Sequence, residues 1–140
     1  MSRERIGERP PLEAFKRAYL VANEAFNRHE FDEAFFGFHP DLEWHTAADV
    51  PGPQVMHGRR AVIQAFEGLL DEFPDWHVAP QEFIEAEQAI LVRNIATATG
   101  QESGVPIIQP FTQVWTFHEG RPIRVREYLD HAEALEAVGL

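Results

Sequence analysis

The sequence contains no cysteine, which excludes disulfides, thiolate metal sites and a cysteine nucleophile. Serine occurs only at Ser2 and Ser103, neither in a nucleophile-elbow context, so acyl-transfer triads lack a nucleophile. Lysine occurs only at Lys16, inside a helical pattern, which leaves Schiff-base chemistry one weak candidate. Positive charge is scarce as well: 12 Lys and Arg stand against 23 Asp and Glu, a net charge of −11. Such a chain repels phosphate backbones and anionic membrane surfaces, so neither nucleic acid nor membrane is an expected partner. No apolar run approaches the roughly 20 residues of a membrane-spanning helix. No glycine-rich phosphate loop is present, and the 7 histidines form no HExxH, so no cofactor and no metal are expected. The start, MSRERIGERP, is charged rather than apolar, which makes the cytoplasm the expected location.

What the chain does hold is apolar and aromatic material for one core. Its 140 residues are 44% hydrophobic, with 11 Phe and 3 Trp, the content of a single domain. Residues 1–9 have little to bury and read as a flexible lead-in, with the domain running from 10 to 140. From Pro10, Leu12, Phe15, Tyr19, Ala22 and Phe26 recur at three- and four-residue steps, predicting a helix that ends near Asn27. A shorter helix is predicted over Glu30 to Gly37, a strand over Leu42 to Thr46, a loop over Asp49 to Pro53, and a third helix after Gly58 that stops at Pro74. Four strands follow, at about Trp76–Glu85, Ala89–Thr99, Phe111–Phe117 and Ile123–Asp130, and then a short helix over His131–Val138. Helices first and an antiparallel meander afterwards give an α+β order, with the helices gathered on one face of the sheet.

Strand parity places the polar residues. His118 to Pro122 reads as a hairpin turn, and setting Phe117 opposite Ile123 puts Trp115 against Val125, Gln113 against Glu127 and Phe111 against Leu129. That face is apolar except for Gln113 and Glu127. In the preceding strand the inward set is either Leu91, Arg93, Ile95 and Thr97 or Ile90, Val92, Asn94, Ala96 and Ala98, and the first is preferred. Three polar side chains on a buried face then mark a polar-lined hollow, because burying them unpartnered costs about 1 to 3 kcal/mol each.

Several phrases carry a family likeness: Asn27-Arg28-His29-Glu30-Phe31-Asp32, Leu42-Glu43-Trp44, His57-Gly58, Phe73-Pro74-Asp75-Trp76, and Val114 to Gly120 running on to Tyr128-Leu129-Asp130. In this order and spacing, over about residues 11–138, the chain resembles the SnoaL-like polyketide cyclase and ketosteroid isomerase branch of the nuclear transport factor 2-like superfamily. The resemblance implies a cone-shaped, curved antiparallel (mixed) sheet packed against three N-terminal helices, enclosing one largely apolar cavity, and a homodimer formed across the broad sheet face. The general base of ketosteroid isomerase-like members falls on Thr46, which cannot serve; their oxyanion-binding acid falls on Gln113, and their tyrosine near Ala22, with Tyr19 one turn earlier. Against limonene epoxide hydrolase-like members, Arg93 matches the arginine and Glu127 one carboxylate, whereas the second carboxylate position is Ile95. The resulting expectation is an acid–base enzyme of cyclase, isomerase, dehydratase or epoxide-hydrolase type. In it Glu127 accepts a proton, its acidity increased by pairing with Arg93, while Arg93 and Gln113 stabilise a developing oxygen anion. Trp44, Thr46, Trp76, Phe111, Gln113 and Trp115 would bind a small apolar molecule carrying a carbonyl or hydroxyl. The alternative is a non-catalytic small-ligand binding protein or a dimerisation module.

Overall fold

The computed structural model describes residues 9–48, 50, 54–100 and 102–140. Residues 1–8 of the predicted lead-in, and all of the Asp49 to Pro53 loop but Val50, lie outside them. Helix α1 spans Leu12–Asn27 and buries Phe15, Tyr19 and Ala25. It stops where His29 takes a left-handed φ of 66° and the chain bonds back, His29 N–H to Phe26 O and Glu30 N–H to Ala25 O. Helix α2 is a single turn, Phe31–Ala34, shorter than its apolar pattern predicts because the chain turns at Phe35 and runs on irregularly to Phe38.

Strand β1 (Glu43–His45) pairs antiparallel with β2 (Val55–His57), a short strand the sequence pattern does not signal. Helix α3 (Arg59–Glu72) follows, then β3 (His77–Glu85), β4 (Ile90–Thr99), β5 (Pro106–His118), β6 (Arg121–Tyr128) and α4 (His131–Ala137). Asp130 caps α4, its carboxylate accepting from Ala132 N–H at 2.8 Å. The sheet order is β2-β1-β6-β5-β4-β3, mixed because β1 runs parallel to β6.

β5 begins earlier than expected, since Pro106 and Pro110 both lie within it. Its first half has a partner only on the β4 side, pairing with β6 starting at Thr112, so prolines without N–H groups interrupt no ladder on the open side. The β5–β6 turn is tighter than expected: Glu119 and Gly120, at φ 54° and 77°, make a two-residue loop of the type that matches strand twist. A register shift between Thr116 and Phe117 then sets Phe117 opposite Pro122 rather than Ile123. Beyond that irregularity Trp115 meets Val125 and Gln113 meets Glu127, as the alternation predicts.

The preferred facing of β4 is overturned. Val92 pairs with Gln113 and Asn94 with Phe111, so Ile90, Val92, Asn94, Ala96 and Ala98 face inward and Arg93 faces out. The inner face and helices α1 to α3 enclose a phenylalanine-rich core in which Phe15, Phe35, Phe38, Trp44, Trp115 and Phe117 touch through ring contacts. Helix α4 instead covers the outer face, where Ala134 packs with Leu91 and Val114. Edge strand β3 is tied to α1 by Asn27, whose amide receives Val78 N–H and donates to Val78 O, both at 2.9 Å.

Candidate functional site

The concave side of the sheet and the N-terminal helices leave a pocket of about 930 Å³, walled mostly by apolar and aromatic side chains. Trp44, Thr46, Trp76, Phe111, Gln113, Trp115 and Glu127 all line it. Trp44 comes from β1, Gln113 and Trp115 from alternate positions of β5, and Glu127 from the facing position of β6, so strand pairing alone brings them to one place. Arg93 does not join them. Its side chain is 48% exposed on the opposite face, with the guanidinium 3.8 Å from the Glu82 carboxylate, because a guanidinium costs far more to bury than the neighbouring carboxamide of Asn94. The proposed Arg93–Glu127 pair therefore does not form.

Two residues outside the sequence-based selection complete the polar floor. Asn94 is fully buried behind the pocket lining, and Tyr19 reaches down from α1. The Tyr19 hydroxyl lies 3.1 Å from both Asn94 Oδ1 and Gln113 Oε1. The Asn94 amide donates to Gln113 Oε1 at 3.2 Å, and the Trp115 indole N–H donates to the same oxygen at 3.0 Å. The Gln113 amide donates in turn to Glu127 Oε2 at 3.2 Å. The signals for these two residues were present in the sequence: Asn94 is the polar member of the alternative inward set, and Tyr19 is the phenol on the apolar face of α1.

Glu127 stands at the end of this network, and among the described residues no cation pairs with it. Burial among apolar walls pushes its carboxyl up to about 7, opposed by the Gln113 hydrogen bond and by the nearby Trp44 indole. This reverses the expected lowering, which depended on Arg93. The Trp44 N–H is buried and meets no acceptor within hydrogen-bond geometry, so its influence on Glu127 is that of a neighbouring dipole rather than a formed bond. Tyr19 is held protonated: burial raises its hydroxyl far above neutral, with the Asn94 hydrogen bond opposing and the Glu127 charge adding to the rise. A carboxyl near neutrality in an apolar pocket can take up and return a proton at physiological pH. Among the described residues no group of three or more His, Asp or Glu is arranged to hold a metal ion. No helix among them is long and apolar enough to cross a membrane.

Comparison with known proteins places this geometry in context. Residues 17–125 match the SnoaL-like domain. Among solved structures, an NTF2-like protein of unknown function from Burkholderia pseudomallei K96243 is 24% identical, with a TM-score of 0.71 over 89% of this chain and 97% of that one. TerC, co-crystallised with polyporic acid, is 21% identical, with a TM-score of 0.72 over 88% and 95%. A putative SnoaL-like polyketide cyclase from Jannaschia sp. CCS1 is 16% identical, with a TM-score of 0.72 over 94% and 96%. At these identities the structures establish a shared fold. A search of curated proteins found no match.

Proposed function

The chain belongs to the SnoaL-like family, and on that footing we propose that it is an acid–base enzyme of small, mostly apolar organic molecules, with Glu127 as the group that moves a proton. The observation that carries this reading is a carboxyl pushed up to about 7 on the wall of an apolar pocket, held by the Gln113 amide and, among the described residues, neutralised by no cation. A carboxylate kept only to fix the sheet would be expected to have a guanidinium or ammonium partner; this one is instead poised between its two protonation states. The pocket volume suits a drug-sized ligand, and its aromatic walls favour a flat, uncharged body. Cyclisation, isomerisation and dehydration of a carbonyl compound share one elementary step, removal of a proton next to the carbonyl, and Glu127 is the base for it. The polyporic acid in the TerC crystals and the polyketide cyclase name of the Jannaschia relative support an organic ligand of this kind. The protein would act in the cytoplasm as a homodimer joined across the outer sheet face; sedimentation as a monomer at micromolar concentration contradicts the dimer.

Solvent exchange tests the step without knowledge of the natural substrate. In D2O, the wild-type protein should accelerate deuterium uptake at the carbon next to the carbonyl of 2-tetralone in a saturable manner, followed by proton NMR. Glu127→Gln should lose roughly 100-fold or more of that acceleration. Equal rates for the two proteins would remove Glu127 from the chemistry. Saturable binding with no acceleration by the wild type would leave a binding protein.

A further inference from the structure

We propose that the Trp115 indole locks the polarity of the whole buried network, committing Gln113 to donate to Oε2 of Glu127 and directing the exchangeable proton of that carboxyl to Oε1. This rests on the acid–base reading of Glu127 and adds to it the residues that position the proton and the oxygen that carries it. Carboxamides can be turned end for end, and a hydroxyl can donate or accept, so most of this network could run in either direction. An indole N–H cannot: it only donates. Because Trp115 donates to one end of the Gln113 amide at 3.0 Å, that end must be the carbonyl. The Asn94 group 3.2 Å from the same oxygen must then be its NH2, and the other end of Asn94, its oxygen, faces Tyr19. The two lone pairs of Gln113 Oε1 are now filled, so the single Tyr19 proton goes to Asn94 Oδ1 at 3.1 Å.

At the far end, the Gln113 NH2 is left facing Glu127 Oε2. A carbonyl-type or charged oxygen accepts such a bond well, whereas the hydroxyl oxygen of a carboxylic acid accepts it poorly, so the proton resides on Oε1. In the opposite polarity the Gln113 carbonyl would face Oε2, and only a protonated Oε2 could satisfy it. The proton would then be held inside the network and kept from the ligand. Trp115, Asn94 and Gln113 are thus positioning residues, with Trp115 the one that cannot be inverted.

The test reads the Glu127 carboxyl directly by carbon-13 NMR titration of glutamate-labelled protein, assigned by its loss in Glu127→Gln, and needs no ligand. Trp115→Phe removes the anchor and lets the inverted network compete, so the carboxyl should titrate about one unit higher. Asn94→Leu removes more hydrogen-bonding groups but keeps the anchor, and Tyr19, already 3.1 Å from Gln113 Oε1, can donate there instead. Its titration should move less than half as far. An unmoved carboxyl in folded Trp115→Phe, or a shift in Asn94→Leu as large as in Trp115→Phe, overturns the lock. If Trp115→Phe does not fold, Gln113→Leu replaces it: loss of the donor should raise the carboxyl similarly, and an unmoved value overturns the proposal. A shifted titration with no wild-type exchange of 2-tetralone keeps the lock and sinks the acid–base reading. Exchange with an unshifted titration does the reverse.

Discussion

Replacing Glu127 by Gln should make the protein more stable at alkaline pH, with the gain vanishing in acid. The folded carboxyl titrates at about 7 against 4.5 for the ordinary group, a difference of 2.5 units. The folded protein therefore holds this proton more tightly than the unfolded chain. The associated stability is fully present below about pH 4.5 and is lost as pH rises through about 7. At 1.36 kcal/mol per unit the loss is about 3 kcal/mol at most, and water entering the pocket would reduce it. Gln is isosteric, accepts from Gln113 in the same way and cannot ionise, so it removes only this contribution. Urea unfolding of both proteins between pH 4 and 8.5 isolates it, because every other titrating group cancels in the difference. The stability of Glu127→Gln minus that of wild type should climb by about 2 to 3 kcal/mol across this range, with most of the rise between pH 4.5 and 7. A difference that stays constant with pH would mean that the carboxyl is not desolvated, and the argument for a poised acid–base group would collapse with it.

Two further outcomes follow from the placement of residues. Arg93→Ala should leave 2-tetralone exchange unchanged and cost less than about 0.5 kcal/mol in urea unfolding, because the guanidinium is exposed on the outer face and its contact with Glu82 is 3.8 Å. Asn27→Ala should cost about 2 kcal/mol by thermal or urea unfolding, since it strips two hydrogen bonds from Val78, whose side chain is buried in the edge strand.

The part of the site built on β5 and β6 was legible because the chain signals its own register there. Glu119-Gly120 ends one alternating run and starts the next, so Gln113 and Glu127 fall opposite each other even though the register shift beside Phe117 alters the pairing at the turn. Strand β4 offers no such signal. Leu91 is buried under α4 on the outer face while Val92 is buried on the inner one, so apolar residues occur on both sides and the alternation that distinguishes a half-covered strand is erased. Only the cost of burying a guanidinium against that of a carboxamide separates the two settings, and it favours Asn94 inside. The helices and their order were legible from apolar spacing, whereas β2 was not, since three residues with one buried side chain carry no period. The convergence of Tyr19 with Asn94 belongs to tertiary structure, 75 residues apart in sequence.

The carboxyl rides on β6, a strand with hydrogen-bonded neighbours on both sides, β1 and β5. Interior strands are among the last parts of a fold to open, while helices and connecting loops breathe more readily. The proton-bearing atom is thereby mounted on one of the interior strands, and most of the surfaces that would feel a ligand's outline come from more yielding helices and loops. Sequence drift along Ala14 to Phe26 or around Phe66 could reshape what the hollow accepts without disturbing the aim of Glu127. One chemical step can in this way be kept while the molecules it acts upon change.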